Sequence, residues 1–397
     1  MKLPVDRIYV AAFAFVVVAP LLQMLTQFAK EPLVEERREP RTVASFLRRT
    51  LEMDPRLAGD VNGWFDDRYG FRSLLIRIKN EIDYQAFGVS DKVIIGKAGW
   101  LFDKKYYNNV VEDARDVALD QQIGTALRNL RDRLGERGTK LVFVLNAAKT
   151  SIYPQFLPTK PAVDPPTRLA RRIAETLKRT PGITFVDGEE IISKHLDAEL
   201  YYKTDIHMNF RAASFVYREM IAQIAQILGQ NQPPLPRETL IRIDWNGGSE
   251  ERYLAKLFAI ADTAYLPREP SSAGKSDEFD EFRTNVGSAD LPKYPDLPLY
   301  DVVFINKRST PLLPPIVLFG TSFADPLFAL NYNRVFGAIY RTRSNVPERI
   351  CSLMLNMPRE IKVFVVEFPE MFLRSIPDLD PATCPGEAHG HRPAFSN

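Results

Sequence analysis

Hydrophobic residues along the chain follow two rhythms after an opening apolar block. The block, "IYVAAFAFVVVAPLLQMLTQFA" at residues 8 to 29, carries no charge. Residues 61 to 88 place aromatic and apolar side chains at helical spacing and stop at Gly88. "KVIIGKAGWLF" (92 to 102) reads as a hairpin-like stretch punctuated by Gly96 and Gly99. Ile123, Leu127, Leu130 and Leu134 recur every three or four residues, which predicts an amphipathic helix over 121 to 135. The second rhythm is the short continuous run. "KLVFVLNAA" (140 to 148) suits a strand buried on both faces of a parallel sheet. Helical "PTRLARRIAETLKR" leads to the strand "ITFVDG" (183 to 188), and a helix follows over 210 to 228 with Asn209 as its N-cap. Further strands are expected at 315 to 320, 333 to 340 and 361 to 368. Strands alternating with helices predict an α/β domain with a mostly parallel sheet.

The opening block is long enough to cross a bilayer, since 22 residues at 1.5 Å each span about 33 Å. Without a clear small-x-small cleavage site after it, an uncleaved anchor is preferred to a cleaved signal peptide. Lys2 and Arg7 precede the span while Lys30, Arg37, Arg38 and Arg41 follow it, so charge does not set its direction. The expected organisation is an anchor or signal over 1 to 30, a charged linker over 31 to 60, a catalytic domain over 61 to 370 and a tail over 371 to 397. Residues 231 to 305, Pro-rich and irregular, are read as an insertion on that domain.

Composition narrows the picture by exclusion. A formal net charge of +2, with basic residues mixed among acidic ones, gives no footprint for nucleic acid. Neither CxxC nor HExxH occurs, and no structural or catalytic metal site is expected. The two cysteines, Cys351 and Cys384, fit one disulfide outside the cytoplasm or two free thiols equally well.

Candidate chemistry lies where strands end, because open α/β sheets bind ligands beyond their carboxyl edges. "IVLFGTSFADPLFAL" (316 to 330) puts Ser322 at a strand-to-helix turn, where it can act as a nucleophile or simply cap the helix. "YYKTDIHMNF" (201 to 210) holds one of only four histidines, His207, two residues after Asp205. A hydroxyl needs a base, and a histidine base works better with a carboxylate fixing its tautomer. The competing reading makes Asp205 a turn cap and His207 an ordinary half-exposed histidine. His195, on a helical pattern, reads as structural.

Together these segments resemble the SGNH-hydrolase-like family of alginate O-acetyltransferases, the AlgJ/AlgX type. Supporting matches are "WFDDRYGFR" (64 to 72), "GKAGWLF" (96 to 102) and "NAAKTSIYP" (146 to 154). Asp205 and His207 precede Ser322, whereas ordinary SGNH esterases place the serine block first; this circularly permuted order is that of the acetyltransferases. The resemblance implies a flavodoxin-like, mostly parallel sheet flanked by helices behind one transmembrane helix. It makes Ser322 the nucleophile, His207 the base and Asp205 its orienting carboxylate, with no metal or organic cofactor. The chain departs from the family at Thr321, where many relatives have Asp, and at Met208, where the common "HWN" has Trp. Asn146, Lys149, Tyr153, Tyr340 and Arg341 are candidates for the substrate pocket, with Asn146 a possible second oxyanion donor. Trp100 is read as core. No carbohydrate-binding module is expected in residues 371 to 397.

The implied function is acetylation of an exported polysaccharide through an acetyl-serine intermediate. The implied partners are the polysaccharide, a multi-pass membrane acyltransferase as acetyl donor, and other export proteins. The implied location is the inner membrane, with the catalytic domain on the periplasmic side. A carbohydrate acetylesterase with the same triad, and a non-catalytic scaffold subunit, are the competing functions.

Overall fold

A computed structural model of the chain describes residues 5–29, 57–197, 199–235, 302–306, 312–343 and 349–384, with a few positions between 249 and 270. The chain divides into two compact units, Met1–Ile95 with Arg252–Pro267, and Gly96–Glu251 with Arg268–Asn397.

The first unit contains helices α1 (Val5–Thr26), α2 (Leu57–Arg68) and α3 (Arg72–Phe87). α1 is long and apolar enough to cross a membrane, the only such helix among the described residues, and most of its surface is exposed. It lies near the N-terminus, as anchors and signal sequences do. Gln23 closes its end by binding both backbone groups of Ala29, donating from Nε2 at 2.6 Å and accepting at Oε1 at 2.9 Å. Gly70, in the turn between α2 and α3, packs against α1 so closely that a Cβ there would fall within 2.7 Å of the Gln23 Cβ. Gly88 terminates α3 in the left-handed conformation, φ 63°, and returns its N–H to Tyr84 O. The linker expected over 31 to 60 lies outside the described residues up to 56, and its last four residues are already in α2.

The second unit is built on six strands: β1 (Lys140–Asn146), β2 (Ile183–Asp187), β3 (Val302–Ile305), β4 (Ile316–Gly320), β5 (Ala338–Arg343) and β6 (Val363–Pro369). Their order is β2-β1-β6-β4-β5-β3, and every neighbouring pair is parallel except β3 with β5. The α/β reading with a mostly parallel sheet flanked by helices is therefore correct. The flanking helices are α4 (Lys104–Arg115), α5 (Leu119–Gly135), α6 (Leu169–Leu177), α7 (Phe210–Ile227) and α8 (Arg349–Asn356). On one face, Leu141, Phe143, Phe319 and Phe364 pack into a core with Ile123, Leu127, Leu130 and Leu134 of α5 and Ile173 of α6. The alternate strand residues Val142, Val144, Leu318 and Val365 are buried too. Burial on both faces is why β1, β4 and β6 are continuous apolar runs rather than alternating ones.

Three local expectations change. "NRVFGAIY" is a strand only in its second half; Tyr332–Val335 forms a 3-10 turn and β5 starts at Ala338. Periodicity cannot separate the two, because Tyr332, Val335 and Phe336 are buried just as strand residues are. Residues 302 to 305, read as the end of the insertion, supply the antiparallel edge strand β3, while most of the insertion lies outside the described residues. The chain also stays packed past 370. A 3-10 segment, Glu370–Leu379, buries Leu373, Ile376 and Leu379 in the α5 core. In "KVIIGKAGWLF", strands Val93–Ile95 and Leu101–Asp103 flank a 3-10 turn, Lys97–Gly99.

Cys351 of α8 and Cys384 form a disulfide across 33 residues, and the loop it closes contains β6. Closing a loop of that size removes unfolded-state entropy worth about 3–4 kcal/mol. A Cys351→Ser/Cys384→Ser variant should lose about that much unfolding free energy in a denaturant titration. Reductant should destabilise the wild-type protein and leave the variant unchanged; equal stability of the two proteins would contradict the bond.

Candidate active site

β4 and β6 are adjacent parallel strands, and the chain leaving β4 passes over the carboxyl edge of β6. Gly320 allows this approach: a Cβ there would lie 3.0 Å from Oε2 of Glu367. Thr321 then caps a single 3-10 turn, Ser322–Ala324, its Oγ1 accepting the Phe323 N–H at 3.1 Å. Ser322 is the first residue of that turn and is half-buried.

The second segment reaches the same edge from the start of α7. Asn209 caps that helix, its Oδ1 accepting Ala212 N–H at 3.1 Å, and its own N–H donates to Leu200 O. The residues just before the helix are thus pinned at both ends of a bend. Within the bend, Oδ1 of Asp205 accepts from Ile206 N–H at 2.6 Å, His207 N–H at 3.2 Å and His207 Nδ1 at 2.7 Å. The carboxylate shapes the turn and orients the ring together, so the capping reading and the orienting reading of Asp205 both hold geometrically. Nε2 of His207 lies 2.8 Å from Oγ of Ser322, across 115 residues of sequence. With its Nδ1 proton directed at Asp205, the imidazole presents a lone pair at Nε2 to the serine hydroxyl. His207 keeps 29% of its side chain exposed, so this end of the array is open to a reactant.

Of the expected pocket residues, the structure gives most an internal partner. Lys149 is 4% exposed, and its ammonium donates to three carbonyls: Leu101 O at 2.7 Å, Lys203 O at 2.7 Å and Asp205 O at 2.9 Å. It holds the Asp205 loop from below rather than reaching toward a ligand. The Tyr153 hydroxyl is buried and accepts Leu200 N–H at 2.9 Å; burial pushes it above its ordinary value of 10. Asn146 is wholly buried and donates from Nδ2 to Glu367 Oε1 at 2.7 Å, so that amide is turned away from the role of oxyanion donor. Arg341 is 6% exposed and engages Asp325 and the Thr321 carbonyl. Tyr340 belongs to the hydrophobic core. Trp100 is core as well, stacked on Phe156 at 4.7 Å between ring centres.

Other residues escaped the sequence reading. Phe323 places an aromatic ring 4.8 Å from that of His207, beside a histidine whose next residue is the buried Met208. Tyr201 and Tyr217, both buried, donate to Ala147 O at 2.6 Å and Phe323 O at 2.7 Å. Glu367 is the most informative omission. It is fully buried inside β6, and burial raises its carboxyl above the ordinary 4.5. Its signal was legible: a charge inside "VFVVEF" (363 to 368) is costly in a buried strand unless hydrogen-bonded. His195 stacks on Phe215 at 3.9 Å and lines a cleft with Lys178, Phe185 and Arg218 that includes no residue of the Ser322–His207–Asp205 array. Among the described residues, no group of three or more His, Cys, Asp or Glu could hold a metal ion.

Residues 93–274 match the family model described as the SGNH hydrolase-like domain of acetyltransferase AlgX. That segment contains Asp205 and His207 and ends before Ser322, so the serine's place beside them is seen in the fold. A probable alginate O-acetylase AlgJ of Pseudomonas syringae pv. tomato is 23% identical over 167 residues, 41% of this chain and 41% of its own length. The match thus spans about two fifths of that relative's length. Among solved structures, the O-acetyltransferase domain of Pseudomonas putida AlgJ has a TM-score of 0.47 at 16% identity, covering 71% of this chain and 92% of that one. Bacillus cereus PatB1 has a TM-score of 0.42 at 16% identity, covering 70% and 95%.

The loop carrying Asp205 should depend on the Lys149 ammonium. Lys149→Met keeps the stem but removes the donor shared by three carbonyls, of which Lys203 O keeps its bond from Leu101 N–H, at a cost of about 2 kcal/mol. The expected result is a lower unfolding free energy with faster amide exchange at residues 203 to 207. Unchanged exchange there would show that the loop is held by something else.

Proposed function

The chain carries the SGNH hydrolase-like domain of the AlgX acetyltransferase type, and on that premise we propose that it is an O-acetyltransferase acting on hydroxyl groups of an exported polysaccharide. The observation that carries the reading is the unbroken array Asp205 Oδ1, His207 Nδ1 and Nε2, Ser322 Oγ, with contacts of 2.7 and 2.8 Å. In the proposed reaction Ser322 Oγ attacks the carbonyl carbon of an acetyl donor while its proton passes to His207 Nε2. The leaving group departs with that proton, which leaves acetyl-serine. A sugar hydroxyl then gives its proton to His207 and attacks the acetyl group, and Ser322 is released with the proton returned. Asp205 holds the Nδ1–H tautomer and stabilises the imidazolium in both halves. The Ser322 backbone N–H is the assigned oxyanion donor, a contribution on the order of a hundredfold in rate.

On this reading α1 anchors the chain in the inner membrane with the second unit on the periplasmic side. A multi-pass membrane acyltransferase is the proposed acetyl source. The disulfide Cys351–Cys384 fits an oxidising compartment outside the cytoplasm.

The test is acetyl transfer by the full chain in detergent, from an activated aryl acetate to oligosaccharide acceptors. Ser322→Ala and His207→Ala should each reduce transfer by at least about 10³-fold. Acetate released with none on the sugar would favour an esterase. Transfer undiminished in Ser322→Ala would sink the triad, and no transfer or ester turnover by the wild-type chain would favour a scaffold role.

A further inference from the structure

Ser322 sits on a turn of only three residues, too short to stiffen itself. What fixes it lies beneath, in β6, β1 and α7. Oε2 of Glu367 accepts both the Thr321 N–H at 2.7 Å and the Thr321 Oγ–H at 2.9 Å. Its Oε1 accepts Asn146 Nδ2 at 2.7 Å. The Tyr217 hydroxyl, from α7, donates to the Phe323 carbonyl at 2.7 Å. Glu367, Asn146 and Tyr217 are all fully buried. The residues on either side of Ser322 are therefore each held by a buried side chain, Thr321 by Glu367 and Phe323 by Tyr217.

We propose that Glu367 is a positioning residue for Ser322: a buried acceptor that locks Thr321, whose Oγ1 in turn accepts the Phe323 N–H, so that the serine hydroxyl stays in line with His207. The inference rests on the reading of Ser322 as the nucleophile. A carboxylate is the side chain that can accept three converging donors with none of its own to conflict. Gln at 367 would turn an NH₂ against the Thr321 donors or against the Asn146 amide. As a stability device a buried ion is poor, since a well-packed apolar residue often does as well or better. The directional grip on the turn is what an apolar residue cannot supply. Misplacing a reacting group by about 1 Å can slow catalysis on the order of a hundredfold.

The experiment is single-turnover acylation of Ser322 by an activated aryl acetate, using the full chain in detergent. Thr321→Val removes the hydroxyl that bonds Glu367 and caps Phe323, whereas Thr321→Ser restores it. Thr321→Val and Glu367→Gln should lower the limiting acylation rate at least about tenfold, with the half-saturating ester concentration nearly unchanged. Thr321→Ser should recover most of the rate. Wild-type limiting rates in Thr321→Val and Glu367→Gln, a loss confined to ester affinity, or no recovery in Thr321→Ser would each overturn the proposal. If Glu367→Gln fails to fold, the two Thr321 variants decide alone. A wild-type protein that never acylates at Ser322 overturns the nucleophile assignment, and this proposal with it.

Discussion

One hydrogen bond, 2.8 Å from His207 Nε2 to Ser322 Oγ, joins two segments that lie 115 residues apart. Neither segment can make it alone. The serine turn is delivered by β4 and the histidine bend by the start of α7, so the bond exists only where the sheet sets both at its carboxyl edge. Parallel strands make that edge a common meeting place, since every β1, β4 and β6 run ends on the same side. The chemistry follows from topology first and from residue type second.

Each half of the array has a buried ion beneath it. Lys149, held among the Leu101, Lys203 and Asp205 carbonyls, supports the histidine bend. Glu367, accepting from Thr321 and Asn146, supports the serine turn. Their charge is met by the groups they gather: three backbone carbonyls at Lys149, and one backbone N–H with two side-chain donors at Glu367. A site of this kind is rigid where it must be and exposed only at its reactive end, with 29% of the His207 side chain open to solvent.

Much of this was legible in the sequence. Continuous apolar runs gave the buried strands, the three-to-four spacing of Ile123, Leu127, Leu130 and Leu134 gave α5, and Asn209 marked the start of α7 within one residue. D-x-H and G-T-S at strand-to-helix junctions pointed at Asp205, His207 and Ser322, which the fold brings together. The rest was hidden for physical reasons. Lys149 and Tyr153 follow β1, and Arg341 was expected just beyond a strand that in fact runs on to Arg343; polar residues at such ends commonly face a ligand, and nothing local reveals that these polar ends turn inward. The partner of Glu367 is Thr321, 46 positions away, a pairing only the sheet register decides. Half of "NRVFGAIY" became a turn because burial alone does not distinguish a packed turn from a packed strand.

The central claim is that Ser322 becomes covalently acetylated with His207 as its base. The most direct measurement is peptide mass spectrometry of the full chain, acid-quenched during turnover of an activated aryl acetate. The account predicts one added acetyl group on the peptide containing Ser322, and none there in the His207→Ala protein. Continued turnover with Ser322 unmodified, or an adduct that forms equally well without His207, would contradict it.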